Sequence, residues 1–119
     1  MLNIDNKEYV CHLGYALEML GGKWKVVVIC NLNGNNMRYG ELHRKIGNIS
    51  HKMFSATLKE LEDEGLIART VYPDVPIKVE YCLTPQGKHL FDILDSLRSW
   101  TVDYLEQQTV ENMKQVVGK

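Results

Sequence analysis

The chain has 119 residues, enough for one domain with one core. Apolar residues make up 45% and charged residues 24%, the balance of an ordinary soluble globular protein. At a net charge of −1 the chain as a whole is no basic nucleic-acid binder, and no segment approaches the ~20 consecutive apolar residues of a membrane span. Met1-Leu2-Asn3-Ile4-Asp5 carries neither a basic nor an apolar leader region, so no secretory signal and no membrane partner are expected. A cytoplasmic location follows, with the three cysteines as thiols rather than a disulfide framework.

From Cys11 to Leu20 the apolar residues Leu13, Ala16, Leu17 and Leu20 keep helical spacing, and Gly21-Gly22 ends the helix. Lys23 to Leu32 reads two ways. Trp24, Val27, Val28 and Leu32 fit a helix face, while Val26-Val27-Val28-Ile29 is β-branched and fits a buried strand. Its length and the Asn33-Gly34-Asn35 stop favour the helix, which would put Cys30 in the core. Arg38 opens a short helix with an apolar stripe of Tyr39, Leu42 and Ile46, closed by a Gly47-Asn48 turn. Ser50 suits the N-cap of the next helix, whose stripe is Phe54, Leu58 and Leu61 and which runs to Glu64 and stops at Gly65.

Ala68–Tyr72 and Lys78–Leu83 read as strands around a turn from Pro73 to Pro76, with Val75-Pro76-Ile77 at the tip. In the second strand Val79, Tyr81 and Leu83 alternate with Lys78, Glu80 and Cys82, which implies one buried face. Thr84 and Pro85 then supply an N-cap and a first helical residue for a long helix. Leu90, Leu94, Leu97, Thr101 and Tyr104 form its stripe; Phe91, Ile93, Trp100, Val102 and Leu105 widen it. A helix apolar on several sides must bury more than one. Burial of Leu90, Leu94, Leu97, Trp100, Thr101 and Tyr104 against a second copy is favoured over packing against the first helices alone.

Helix, turn, helix and a two-stranded ribbon define a winged helix-turn-helix, mainly α with a small β-wing (α+β). Charge is distributed accordingly. Arg38, Arg44, Lys45, Lys52 and Lys59 cluster with His43 and His51 against Glu41 alone. If Phe54, Leu58 and Leu61 face the core, then His51, Lys52, Ser55 and Lys59 occupy the exposed side of the same helix. Lys52 suits guanine acceptors or phosphate; His51 and Ser55 suit a base edge or phosphate. Ser50 sits at the helix N-terminus, where unpaired N–H groups favour phosphate. Arg38 and Lys78 are placed to reach the duplex backbone, Lys78 from beside the wing tip. Taken singly, each reads as a solubilising surface residue; their joint placement points to double-stranded DNA.

Several motifs in order resemble the HxlR-type winged helix-turn-helix regulators, whose architecture is similar to the MarR group. They are Cys11 with Ala16-Leu17 and Gly21-Gly22-Lys23-Trp24, then Met37-Arg38-Tyr39-Gly40-Glu41-Leu42, Ile49-Ser50-His51-Lys52-Met53 and Leu58 to Ile67. The wing from Arg69-Thr70-Val71-Tyr72-Pro73 through Val79-Glu80-Tyr81 to Leu83-Thr84-Pro85 matches as well. The resemblance implies one domain over 1–119, with the winged helix and its dimerisation helices over 11–109. It also implies a homodimeric transcription regulator joined through its N- and C-terminal helices. Some members sense oxidants or electrophiles through a cysteine at the position of Cys11, so an oxidant or small-molecule effector is among the implied partners. His12 stands where the family usually has proline, and Cys82 where serine is common.

Chemistry alone leaves Cys11 open between a redox-sensing thiol, placed where a helix N-terminus favours thiolate, and an inert one. Cys82 lies on the non-core face of its strand. The remaining cysteines and histidines share no paired ligand spacing, so neither metal nor cofactor is expected. No G-x-S-x-G, phosphate-cradling loop or nucleophile–base arrangement stands out, so an enzyme is not expected. The rival is a winged helix used as a protein-interaction module.

Overall fold

The structure, a computed structural model, describes residues 1–117, and the side chains of residues 1–112. Asp5 and Asn6 both adopt positive φ, 51° and 64°. Two consecutive left-handed residues make the two-residue turn that matches strand twist, and Asp and Asn tolerate that region. They join β1 (Leu2–Ile4) to β2 (Lys7–Tyr9), pairing Leu2 with Tyr9. Apolar periodicity predicts no element here. The hairpin docks on α1 (His12–Leu20) through Tyr9 edge-on to Tyr15 and an ion pair from Lys7 to Glu18.

α2 (Trp24–Leu32) is a helix throughout, which settles the choice left open by its β-branched run. It packs on α3 (Tyr39–Ile46), α4 (His51–Asp63), α5 (Pro85–Val117) and the sheet, so it is the centre of the domain. Val28, Ile29 and Leu32 are its buried residues. Cys30 is exposed, against the expectation that it lies in the core. The helix is apolar on nearly every side, so its sequence pattern does not say which side is covered. Burial follows Val28, Ile29 and Leu32, and Cys30 falls away from them.

The core joins these residues to Leu42 of α3, Phe54, Leu58 and Leu61 of α4, and Ile67, Tyr81 and Leu83 of the sheet. Each such large side chain contributes roughly 1.5–3 kcal/mol through burial. The sheet has three strands in the order β3-β5-β4: β3 (Met37–Arg38), β4 (Ile67–Tyr72) and β5 (Lys78–Leu83). All pairings are antiparallel, with Met37 opposite Tyr81 and Tyr72 opposite Lys78. β3 is an addition to the two strands read from the sequence. Its two residues fix the entry to α3 against the base of the wing.

Thr84 starts α5 as expected. The Gly87 N–H donates to Thr84 Oγ1 at 3.1 Å, and that hydroxyl donates to the Gly65 carbonyl at 2.6 Å. One side chain thus caps α5 and ties it to the end of α4. α5 has 33 residues, about 50 Å at 1.5 Å per residue, and among its described hydrophobic residues Leu90, Phe91 and Leu94 pack on the core.

Candidate nucleic-acid interface

The angle between α3 and α4 is set by local chemistry. Gly47, at φ 92°, turns the chain where a side chain would be strained. His43 Nε2 lies 2.8 Å from the Ile49 carbonyl, which can only accept, so this nitrogen carries the proton. Ser50 then caps α4, accepting the Met53 N–H at 3.1 Å. Its hydroxyl oxygen is therefore already engaged, and the exposed end of α4 retains the backbone donors that favour phosphate. At the other end Leu66 N–H donates to Leu61 O and Gly65 N–H to Glu62 O, each at 3.0 Å. That Schellman pattern closes α4 with Gly65 at φ 75°.

Lys25 of α2 holds the same end. Its ammonium lies 3.0 Å from Glu64, 3.2 Å from Glu60, and donates to the Met19 carbonyl at 2.8 Å. Burial opposes the charge, but hydrogen bonds and attraction from Glu64 and Glu60 outweigh it and raise the pKa above 10.5.

Phe54, Leu58 and Leu61 are buried, and His51, Lys52, Ser55 and Lys59 are exposed on the opposite side. Lys59 is also 3.8 Å from Asp63, a solvated pair of little energetic weight. Tyr39, read from the sequence as part of a core stripe, is only half-buried, and its hydroxyl reaches this surface. It lies 3.0 Å from His51 Nδ1 and 3.1 Å from Ser55 Oγ. His51 stacks on His43 with ring centroids 4.1 Å apart. Stripe periodicity cannot reveal this, because a tyrosine counts as apolar whichever way its hydroxyl points.

Arg38 precedes α3, and its backbone N–H donates to Glu41 at 3.1 Å. It lines a shallow groove with Asn36, Arg44 and Lys78, along with the carboxylates of Glu41 and Glu80, beside the loop-side half of β5. Arg44 belongs to the basic cluster read from the sequence, whereas Asn36 is not singled out there. Lys78 pairs with Glu80 at 3.8 Å and lies over the Tyr72 ring, 5.2 Å from its centroid. Lys78, opposite Tyr72 in the last pair before the turn, thus lies beside the wing tip as read from the sequence, with Val75 and Ile77 exposed at the tip itself.

On α5 the residues expected at an interface divide. Leu90 and Leu94 pack against their own core. Leu97 and Trp100 stand 57% and 59% exposed, with Tyr104 stacked on Trp100 at 5.0 Å. Thr101 turns its hydroxyl to the Leu97 carbonyl, 2.8 Å away. Leu13 and Leu17 of α1 are 66% and 63% exposed, and α1 buries no residue fully. Cys11 is exposed at the N-cap of α1, with no capping hydrogen bond from its side chain. Cys82 is half-buried. Among the described residues no cluster of three or more His, Cys, Asp or Glu is placed to hold a metal ion, and no helix is long and apolar enough to cross a membrane.

A capped helix-turn-helix, with its second helix exposed beside a two-stranded wing, defines the winged helix-turn-helix class of transcriptional regulator. Residues 19–109 match the model of the HxlR-like helix-turn-helix family, and the chain belongs to that family. It is 44% identical over 106 residues to an uncharacterised HTH-type transcriptional regulator of Methanothermobacter thermautotrophicus, covering 89% of this chain and 81% of that one. Among solved structures it is similar to a protein assigned to the MarR family from Enterococcus faecalis V583. That match has a TM-score of 0.78 and 31% identity, covering 91% of this chain and 98% of the other. The oxidised form of the redox regulator HypR matches with a TM-score of 0.72 and 34% identity, over 78% of this chain and 96% of that one.

Proposed function

We propose that this transcriptional regulator is a non-enzymatic homodimer that binds a two-fold symmetric DNA operator, with α4 of each subunit in the major groove. The observation that carries the reading is the exposed row His51, Lys52, Ser55 and Lys59 on a helix anchored by Phe54, Leu58 and Leu61. Its N-terminal half offers side-chain donors and acceptors to base edges and backbone N–H groups to phosphate. Arg38 and Lys78 flank it with charge for the phosphate backbone, which positions the protein without reading sequence.

The homodimer is supported by the uncovered apolar faces of α1 and α5. Leu13, Leu17, Leu97 and Trp100 are large and solvent-facing, an arrangement that marks an interaction surface. Two half-sites would then lie about one helical turn apart, ~34–36 Å, or a multiple of it. Cys11 lies at the start of α1, beside that surface. Oxidation there would change how two copies sit, and the likeness to HypR supports an oxidant signal.

A gel-shift titration against fragments of the source genome at moderate salt tests this function. Retention of particular fragments by the wild type is expected. Binding of all fragments alike, or of none, would favour the protein-interaction module instead.

A further inference from the structure

The Tyr39 hydroxyl bridges two exposed residues one turn apart on α4, His51 and Ser55. We propose that Tyr39 is a positioning residue that sets the donor and acceptor pattern these two side chains offer to DNA. The proposal rests on the reading of α4 as the groove-entering helix.

A phenol is the more acidic partner and an imidazole nitrogen the more basic, so the Tyr39 O–H donates to His51 Nδ1. The phenolic oxygen then accepts from the Ser55 hydroxyl. The chain runs Ser55 O–H to Tyr39 O–H to His51 Nδ1, each link polarising the next. Two consequences follow from counting protons. Neutral His51 carries its proton on Nε2, which has no hydrogen-bond partner among the described residues. That nitrogen is a donor. The Ser55 proton is engaged inward, so Ser55 offers only lone pairs.

The helix therefore shows a donor at 51 and an acceptor at 55. In the major groove a donor matches guanine O6 or N7, adenine N7 or thymine O4; an acceptor matches the amino group of cytosine or adenine. Without the phenol, a serine hydroxyl rotates and an imidazole changes tautomer, and both discriminate less. The His51 ring is held from a second side by its stack on His43, which is itself fixed by the Ile49 carbonyl. Tyr39 thus selects the tautomer of a ring already oriented.

Tyr39→Phe removes the hydroxyl and keeps the ring that packs 4.8 Å from Phe54. Nitrogen-15 NMR of the free protein above pH 8, with His51→Gln to assign the ring, should show His51 mostly as the Nε2–H tautomer. Tyr39→Phe should give a mixture. An Nδ1–H wild type, or the same ratio in both proteins, would overturn the hydrogen-bond assignment without reference to DNA. Selection from a randomised duplex pool tests the consequence. The wild type should enrich cytosine or adenine at the position that Ser55→Ala relaxes, and Tyr39→Phe should lower that preference about tenfold. An unaltered preference in Tyr39→Phe would overturn the readout role. A pool from which the wild type enriches nothing would instead overturn DNA reading itself, leaving the NMR result to judge the hydrogen bonds.

Discussion

The Lys25 ammonium lies 3.0 Å from a Glu64 carboxylate oxygen, joining the central helix α2 to the C-terminal end of α4. α4 is thus fixed at its C-terminal end by an ion pair whose lysine side chain is only 12% exposed. Lys25→Met should lower stability by about 1–2 kcal/mol, because Glu64 loses its partner and the Met19 carbonyl its donor. The raised Lys25 pKa fixes the sign of the pH dependence: its contribution is complete below 10.5 and fades as pH rises through the higher folded value. Urea unfolding of both proteins at pH 7 and near pH 11 checks this. A difference as large at pH 11 as at pH 7 would contradict it.

Gly87 has a close packing role that its flanking sequence does not announce. A Cβ built there would lie 2.0 Å from the Leu66 carbonyl oxygen, a backbone atom that cannot swing aside. Gly87→Ala should destabilise by roughly 2–4 kcal/mol, despite alanine's better helix propensity. Thermal unfolding measures it, and an equal or higher midpoint would contradict this packing.

The proposed dimer surface is tested by charge. Trp100→Glu would place a carboxylate on the exposed patch with Leu97 and Tyr104, where a second copy is proposed to sit. Sedimentation should show a wild-type dimer and a mainly monomeric variant with a native circular-dichroism spectrum. Loss of operator affinity should accompany it, since two half-sites then bind independently. An unchanged dimer would move the interface elsewhere.

Phosphate and base contacts separate in a salt series. Lys78→Ala should weaken binding to every sequence and reduce the slope of log affinity against log salt by about one. Lys52→Ala should instead change base preference at one position. Equal loss on all sequences would remove Lys52 from the base-reading set.

Cys11 and Cys30 are both exposed, so an oxidant response has two candidate thiols. Although Cys30 is exposed as a residue, partial desolvation of its thiol, with the charge of Asp95 adding to it against Arg98, raises its pKa above the ordinary thiol value. At pH 7.5 Cys30 should therefore be alkylated more slowly than free cysteine in a Cys11→Ser background. Mild oxidant should change operator affinity in the wild type and in Cys30→Ser but not in Cys11→Ser. A response that survives in Cys11→Ser would exclude that residue as the sensor.

What the sequence discloses depends on whether one face of an element is marked. In α4 the apolar positions 54, 58 and 61 leave a single side for His51, Lys52, Ser55 and Lys59, so interior and exterior could be assigned together. In α2 nearly every position is apolar, and only tertiary packing decides that Ile29 goes inward and Cys30 does not. The β1–β2 hairpin is too short for periodicity, but its signal is present in Asp5-Asn6, two residues suited to left-handed turns. The Tyr39 hydroxyl was illegible for another reason. Its partners lie 12 and 16 residues away, and only the angle between α3 and α4 brings them together.

The most direct test of the central claim is methylation protection on a DNA fragment that the protein retains. Binding should shield guanine N7 atoms in two clusters centred about 10 base pairs, or a multiple, apart, because N7 lies in the major groove. Protection confined to one cluster, or to minor-groove adenine N3 atoms, would contradict a dimer that places α4 of each subunit in successive major grooves.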